Sequence, residues 1–341
     1  MNNKSPKMNS VEHRTFPFSA SDVPFNDKGQ VYHLEIDPSQ LAPDILIVGD
    51  PGRSEMIGET FLQDIEFKQE HRGLVTVTGT SQISGEQATI ISPTRSTVTT
   101  SGMGTSSLEV VLQELVALNE IDFQTRTPKT EFPRLQIIRV GTSGGLQEST
   151  KLGTPIITSY AVGMDNTGLF YECSYADEVC ERLEKELHDL MKQSAKETSR
   201  FYGNIHPYVA KTEPKMVDAM SEAAKILGVE CKVGLTVSCS GFFAPQGRDI
   251  CRIFPSIVDM DKIFADYDPG LGGQRFENME METSFLTHFM GGLGYWAGSI
   301  CTAIANRRRD TFDVHYEEAV RNSIRVALFA LAINRKRYKG L

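Results

Sequence analysis

Short apolar runs alternate along the chain with segments whose apolar residues recur at helical spacing, and polar, glycine-rich stretches separate them. Asp44-Ile45-Leu46-Ile47-Val48 reads as a buried strand and runs at once into Gly49-Asp50-Pro51-Gly52-Arg53. Met56, Ile57 and Phe61 share one face of a helix behind that turn. Leu74 to Val77 and Ala88 to Ile91 are further strand patterns, the first preceded by His71-Arg72-Gly73 in a polar loop. Val98-Thr99-Thr100 leads into Ser101-Gly102-Met103-Gly104-Thr105-Ser106-Ser107, and Leu108, Val111, Leu112 and Leu115 then mark an amphipathic helix with a serine cap. Residues 119 to 134 are polar, carry two prolines and read as a surface insertion.

The central strand follows as Leu135 to Val140 and is expected to end in a tight turn at Gly141-Thr142-Ser143-Gly144-Gly145. Thr154 to Thr158 is the next strand. Val179, Leu183, Leu187 and Leu190 mark one helix; a second has Pro214 in its first turn, Met216, Met220, Ala223 and Leu227 on one face and Gly228 at its end. Lys232 to Val237 is a strand that delivers a loop carrying Phe242, Gln246 and Arg248. In Phe276 to Leu286 three acids open a helix, yet Met279 and Met281 alternate as in a strand, which would aim Glu280 and Glu282 inward. Ala297 to Ala305 is the last strand, ending at Asn306-Arg307-Arg308-Arg309. A closing helix has Val320, Ile324, Leu328 and Leu331 on its face and a basic end that suits its dipole. The alternation predicts one α/β domain around a central mixed sheet. Residues 1 to 30 read as a flexible extension and 31 to 341 as the folded domain.

Composition narrows the function classes. A net charge of -9 argues against a nucleic-acid scaffold, no apolar run is long enough for a membrane span, and the first 30 residues lack the apolar core of a signal peptide. Six scattered cysteines without a C-x-x-C suit reduced thiols in a cytoplasmic protein, and the seven histidines show no metal-ligand spacing. Gly102-Met103-Gly104-Thr105 lacks the third glycine of a dinucleotide loop, which disfavours an oxidoreductase.

The polar clusters fall after strand ends, where α/β folds place ligands. Arg139 with Gly141, Thr142, Ser143, Gly144 and Gly145 offers donors to an anion such as phosphate. Glu280 and Glu282, if buried, need partners that a sugar diol would supply. Phe242, Gln246 and Arg248 suit a planar heterocycle. Each cluster alone also fits an ordinary turn; together they suggest a ligand with an anion, a diol and a ring.

From Val31 to the closing helix the sequence resembles the uridine phosphorylases of the nucleoside phosphorylase-I superfamily. The family's G-D-P-x-R stands as Gly49-Asp50-Pro51-Gly52-Arg53, and its R-I-G-T-[TS]-G as Arg139-Val140-Gly141-Thr142-Ser143-Gly144. Its F-Y-x-x-Q-x-R stands as Phe242-Phe243-Ala244-Pro245-Gln246-Gly247-Arg248, and its E-M-E as Glu280-Met281-Glu282. The resemblance implies a three-layer α/β/α fold with a mixed sheet and reversible phosphorolysis of uridine without a cofactor or a metal. It implies that Gly49, Arg53, Arg139 and Thr142 hold phosphate, with Arg72 joining from a neighbouring subunit. Glu282, Glu280 and Met281 would meet the ribose, and His33 of the neighbour its 5′-hydroxyl. Otherwise His33 reads as a surface histidine. Thr142, Ser143, Gly144, Phe242, Gln246 and Arg248 would border the base, with Gln246 and Arg248 stabilising charge on departing uracil. The expected partners are phosphate and uridine or uracil, in a homo-oligomer. Gly73 stands where relatives with an alkali-metal site have a glutamate, which disfavours such a site here. The rival readings are a purine or broad-specificity nucleoside phosphorylase or nucleosidase of the same fold, and a non-catalytic nucleoside-binding protein. A purine enzyme would want an acid at the strand end, and Ala305-Asn306-Arg307 has none.

Overall fold

The computed structural model describes residues 16–82 and 93–338. Its first half runs β1 (Asp44–Val48), α1 (Pro51–Phe61), β2 (Leu62–His71), β3 (Leu74–Ser81), β4 (Arg95–Thr100), α2 (Thr105–Glu120), β5 (Ile121–Asp122) and β6 (Thr127–Pro128). Then come β7 (Gln136–Gly145), β8 (Pro155–Met164), α3 (Glu178–Ser194), β9 (Tyr208–Lys211), α4 (Pro214–Leu227) and β10 (Lys232–Cys239). The chain ends with α5 (Met260–Asp266), β11 (Phe276–Glu280), α6 (Thr283–Gly292), β12 (Trp296–Asn306), β13 (Thr311–Phe312) and α7 (Glu317–Arg337).

Consecutive residues of the central strands face opposite layers, as the strand pleat requires. Leu46, Ile138 and Ile300 pack under α1, α4 and α7 with Ile57, Met216, Met220, Ile324 and Leu328. Ile45, Ile47 and Ile137 pack under α2 and α6 with Leu108, Leu112, Phe285 and Phe289. Burial on both faces explains why these strands read as unbroken apolar runs. A third cluster joins α3 and α5 to β8, β10 and β11 through Leu183, Leu187, Phe264, Val162, Leu235 and Phe276. The result is the expected α/β/α arrangement. The sheet is mixed, in the order β13-β12-β8-β10-β11-β7-β1-β4-β3-β2, with β9 on β8. β12 also pairs with β7, so β12, β8, β10, β11 and β7 close a ring around the middle of the molecule.

Several local expectations need correction. β7 does not turn at Gly141; it continues through Gly145 and stays paired with β12 as far as Asn306. The glycines there leave room above the strand, not a bend in it. The polar loop at His71-Arg72-Gly73 is a two-residue hairpin turn, with φ 54° at Arg72 and 78° at Gly73, both left-handed. It joins β3 to β2, an edge strand too exposed and polar to show an apolar pattern. The helix after β4 is capped by Gly104, whose φ is 85°, without a serine side chain. Ala88 to Ile91 lie outside the described residues.

The stretch from 119 to 134 is not a polar insertion throughout. Asn119 and Glu120 are buried at the end of α2, and β5 and β6 form a small hairpin. The segment before residue 31 packs on that hairpin. Phe25 stacks on Phe123 at 3.9 Å, and the Arg126 guanidinium lies 4.6 Å from the Phe25 ring. Arg126 also donates to the carbonyls of Ser19 (3.2 Å) and Val23 (2.9 Å).

Candidate active site

A cavity of about 750 Å³ opens where β1, β4, β7, β11 and β12 end, and the loop after β10 forms one wall. It brings together Gly49, Arg53, Arg139, Thr142, Ser143, Gly144, Phe242, Gln246, Arg248, Glu280, Met281 and Glu282.

Arg139 is the floor. Ile47 of β1 and Ser299 of β12 flank it in register. Its side chain folds along its own strand and lies over Gly141, where a Cβ would meet Nη1 at 2.1 Å. Any larger residue at 141 would displace the guanidinium. Nη1 donates to Cys301 Sγ (2.9 Å) and forms an ion pair with Glu280 Oε2 (3.0 Å), and Nη2 donates to Glu282 Oε2. Nε is buried and has no partner among the described residues. Burial opposes the charge of Arg139, but Glu282, Cys301 and Glu280 outweigh it and raise its pKa.

The two acids on this floor differ in use. Glu280 ends β11 and accepts from the N–H groups of Glu282 (3.0 Å) and Thr283 (3.1 Å) and from the Ser238 hydroxyl. Its carboxylate thereby closes the start of α6 and is fully engaged by the protein. Glu282 accepts the Gly104 N–H at 2.5 Å, at the start of α2, and otherwise depends on Arg139. Burial pushes the Glu282 pKa up; Arg139 opposes this and nearby Glu280 adds to it. The balance favours the charge of Arg139 and opposes that of Glu282, because one guanidinium serves two buried carboxylates. Arg139 gains from both, while Glu282 recovers only part of its lost hydration.

Gly49 and Arg53 sit on the opposite side. Asp50 caps α1 by accepting the Arg53 N–H at 3.0 Å, and Arg53 Nη1 donates to the Val140 carbonyl at 3.3 Å. Burial, and then the charge of Arg139, lower the Arg53 pKa. Two cations face one space, a setting that favours an anion between them.

The other end is carried by the loop after β10. Gln246 is buried, and its Oε1 accepts from Arg248 Nη1 at 2.7 Å. Its Nε2 donates to the Glu280 carbonyl at 3.4 Å. The Arg248 guanidinium lies 3.8 Å from the Phe242 ring centroid. Burial and then Arg307 lower the Arg248 pKa.

The structure does not bring His33 or Arg72 into this cavity. His33 Nδ1 lies 2.7 Å from Glu114 Oε1, and the same carboxylate accepts the backbone N–H groups of His33 and Leu34. Arg72 is exposed at the β2–β3 turn and lies 5.6 Å from the Tyr32 ring. Conversely, the cavity includes residues that the sequence reading missed: Met103, Met279, Ile304, Arg307, Asp310 and Phe312. Arg307 holds the loop after β10 in place by donating to the carbonyls of Gln246 (3.2 Å) and Gly247 (3.1 Å). The arginine run after β12 was a visible signal, but it read as the end of a strand. Asp310, four residues past the end of β12, is an acid that lines the cavity where the strand end itself has none. Asn306 lines the cavity with its amide turned to the carbonyls of Gln147 and Thr150.

The chain matches the phosphorylase superfamily over residues 43–333. It is 27% identical over 298 residues to a uridine phosphorylase of Thermococcus kodakarensis, covering 86% of this chain and 84% of that one. It is 33% identical to a DeoD-type purine nucleoside phosphorylase of an Exiguobacterium species, over 38% of this chain and 45% of that one. Its fold superposes on a Trypanosoma brucei nucleoside phosphorylase that shows uridine phosphorylase activity, with a TM-score of 0.79 at 26% identity, covering 91% of this chain and 99% of that one. No helix among the described residues is long and apolar enough to cross a membrane. With the match spanning strands, floor and wall alike, the chain belongs to the phosphorylase superfamily.

Proposed function

We propose that this chain is a uridine phosphorylase, a pentosyltransferase that exchanges uracil for phosphate on ribose C1′. One observation carries the reading: a single cavity holds a buried arginine–carboxylate floor at one end and a Gln246–Arg248 pair at the other. Its likeness, over 86% of the chain, to a uridine phosphorylase and, over 91%, to a nucleoside phosphorylase with uridine phosphorylase activity supports the choice of base.

Phosphate binds between Arg53 and Arg139, near Gly49 and Thr142. It takes over the Nη2–Nε edge of Arg139 from Glu282, which frees that carboxylate for the ribose 2′- and 3′-hydroxyls. Met281 packs beside the sugar, while Glu280 acts from beneath by holding Arg139. A phosphate oxygen attacks C1′ as the bond from C1′ to uracil N1 breaks. The bonding pair leaves with uracil, and the proton given up by phosphate ends on it. Glu282 favours the positive charge that develops on the sugar. Gln246 and Arg248 favour the negative charge that develops on the base. Thr142, Ser143 and Gly144 border the ring, and Phe242 flanks it. No organic cofactor takes part.

His33 and Arg72 then act in a neighbouring subunit's site, and the enzyme is a homo-oligomer. Subunits carrying substitutions at both positions, mixed with Arg139→Ala subunits, should recover part of the activity. No recovery after proven exchange rules out shared sites.

Asp310 favours one second reading, because an acid at the base end could protonate purine N7. The deciding assay follows nucleoside loss with and without phosphate for uridine, thymidine, inosine and adenosine. Phosphate-dependent cleavage of uridine, with inosine and adenosine slow, is the expected result. Inosine cleaved as fast as uridine establishes the second reading, and loss without phosphate establishes a hydrolase.

A further inference from the structure

We propose that Cys301 is a positioning residue for phosphate: its thiol fixes the guanidinium of Arg139 and so sets phosphate affinity without touching the nucleoside. The inference rests on the reading of Arg139 as a phosphate ligand. β7 and β12 run parallel with Ser299 beside Arg139 and Cys301 beside Gly141. Because Arg139 lies along its strand over Gly141, its head group arrives above the thiol two residues on, with Nη1 2.9 Å from Sγ.

Each Nη carries two hydrogens. Nη1 donates one of its two to Cys301 and lies 3.0 Å from Glu280 Oε2 as an ion pair, so both of its neighbours belong to the protein. Nη2 is held only by Glu282, and Nε has no partner among the described residues. The edge left for exchange is therefore Nη2 with Nε, which presents two parallel donors to an anion. Without an acceptor at 301, one Nη1 hydrogen is orphaned in a buried site, and the guanidinium turns about Cδ–Nε to recover it. That rotation moves the exchange edge.

The chemistry of the thiol suits this task. Cys301 is fully buried, and burial pushes its pKa up even though Arg139 opposes the shift. It is thus a neutral acceptor. A third carboxylate in its place would hold Arg139 against phosphate. Ser299 Oγ lies 3.4 Å from Sγ and accepts from Thr283 Oγ1 at 2.9 Å, which fixes the thiol from behind. No step of the reaction uses Cys301, and its side chain does not line the cavity.

The test compares Cys301→Val, Cys301→Ala and Cys301→Ser in the full chain. Two readouts are taken: steady-state constants for each substrate, and the rise in Tm produced by inorganic phosphate alone. Valine and alanine should raise KM for phosphate about tenfold, while KM for uridine at saturating phosphate stays within about twofold. The Tm rise with phosphate should shrink in step. Serine, which keeps an acceptor, should stay within about threefold of the parent. Unchanged phosphate constants in both apolar variants overturn the proposal. So do equal rises in both KM values, or a serine variant as impaired as valine. If the parent protein binds phosphate but leaves uridine intact, the functional reading fails, and the Tm titrations still decide the role of Cys301.

Discussion

At the proposed phosphate end of the cavity the charged groups stand on sheet strands or at helix starts; at the proposed base end Phe242, Gln246 and Arg248 stand on one loop. Arg139, Glu280 and Glu282 are 4%, 3% and 4% exposed; the first two stand on paired strands and Glu282 stands at the start of α6. Phe242 is 51% exposed, and Arg248 is held by Gln246, the Phe242 ring and the Phe242 carbonyl of its own loop. Burial of the floor removes its charges from water before any substrate arrives. Binding there exchanges one ion pair for another, so the electrostatics of the transition state are set in advance. The wall needs less rigidity, because it reads the edge of a flat ring. Substitutions on the floor should therefore change rate and stability together, and substitutions in the wall should change the handling of the base with little effect on stability.

The largest effect is expected at Arg139. Alanine there leaves two carboxylates buried without their cation, which costs about 3–5 kcal/mol of stability. It also removes the proposed ligand of the attacking phosphate, and kcat/KM should fall by about 10³-fold or more. Urea unfolding and steady-state kinetics measure the two losses. A variant that loses activity while keeping its stability breaks the comparison, since the floor would then be no part of the fold.

Glu282→Gln sharpens it. On the proposed function the carboxylate acts in the transition state, so kcat should fall by about 10²-fold. Stability should move the other way. Burial raises the Glu282 pKa above its ordinary 4.5, so the folded state binds that proton more tightly than the unfolded chain. The stabilisation belongs to the protonated form; it is complete below the unfolded pKa and lost as pH rises through the folded one. The amide mimics the protonated form. Its Tm should exceed that of the parent at neutral pH, and the difference should close as pH falls toward 4.5. A Tm below that of the parent at neutral pH would show Arg139 repaying the full burial of Glu282.

The same contrast explains what the sequence disclosed. The floor was readable because the strands carry apolar runs and because acids beside methionines are unusual in a core: Glu280 and Glu282 stood out as inward-facing. What was not readable is that Glu280 is consumed by Ser238, Thr283 and Arg139, since those partners are far apart in sequence. The extent of β7 was missed because Gly141, Gly144 and Gly145 favour a turn locally, and only pairing with β12 keeps them extended. In the wall, Gln246 and Arg248 were legible through the family motif. Arg307, Asp310 and Phe312 were not, because the short hairpin onto β12 has no periodicity of its own.

Gln246→Ala and Arg248→Ala come next in size. Uracil offers carbonyl, N3–H and carbonyl along one edge, which an amide beside a guanidinium matches. Either variant should cut kcat/KM for uridine about 10–100-fold and leave KM for phosphate within about twofold. Cytidine, which turns a donor toward Arg248, should be a very poor substrate of the parent enzyme. A rise in phosphate KM in either variant would join wall to floor, most directly through the Gln246 contact with the Glu280 carbonyl.

The smallest effect expected is at Phe242. Its ring lies 3.8 Å from the Arg248 guanidinium yet is 51% exposed, so the pairing is of the weak, solvated kind, about 0.5–1 kcal/mol. Phe242→Leu keeps an apolar group near the base but removes the π face. KM for uridine should rise about two- to fivefold, and kcat should hardly change. Phe242→Trp, with a stronger π face, should equal or improve on the parent. Both variants should leave the Tm unchanged, because the ring lies outside all three core clusters. The pair of substitutions separates two roles that one ring could play. If leucine and tryptophan behave alike, Phe242 only excludes water from the base. If they part in the predicted order, the ring holds Arg248 in the plane where it meets uracil O4, and the loop, for all its exposure, sets the geometry of the base end.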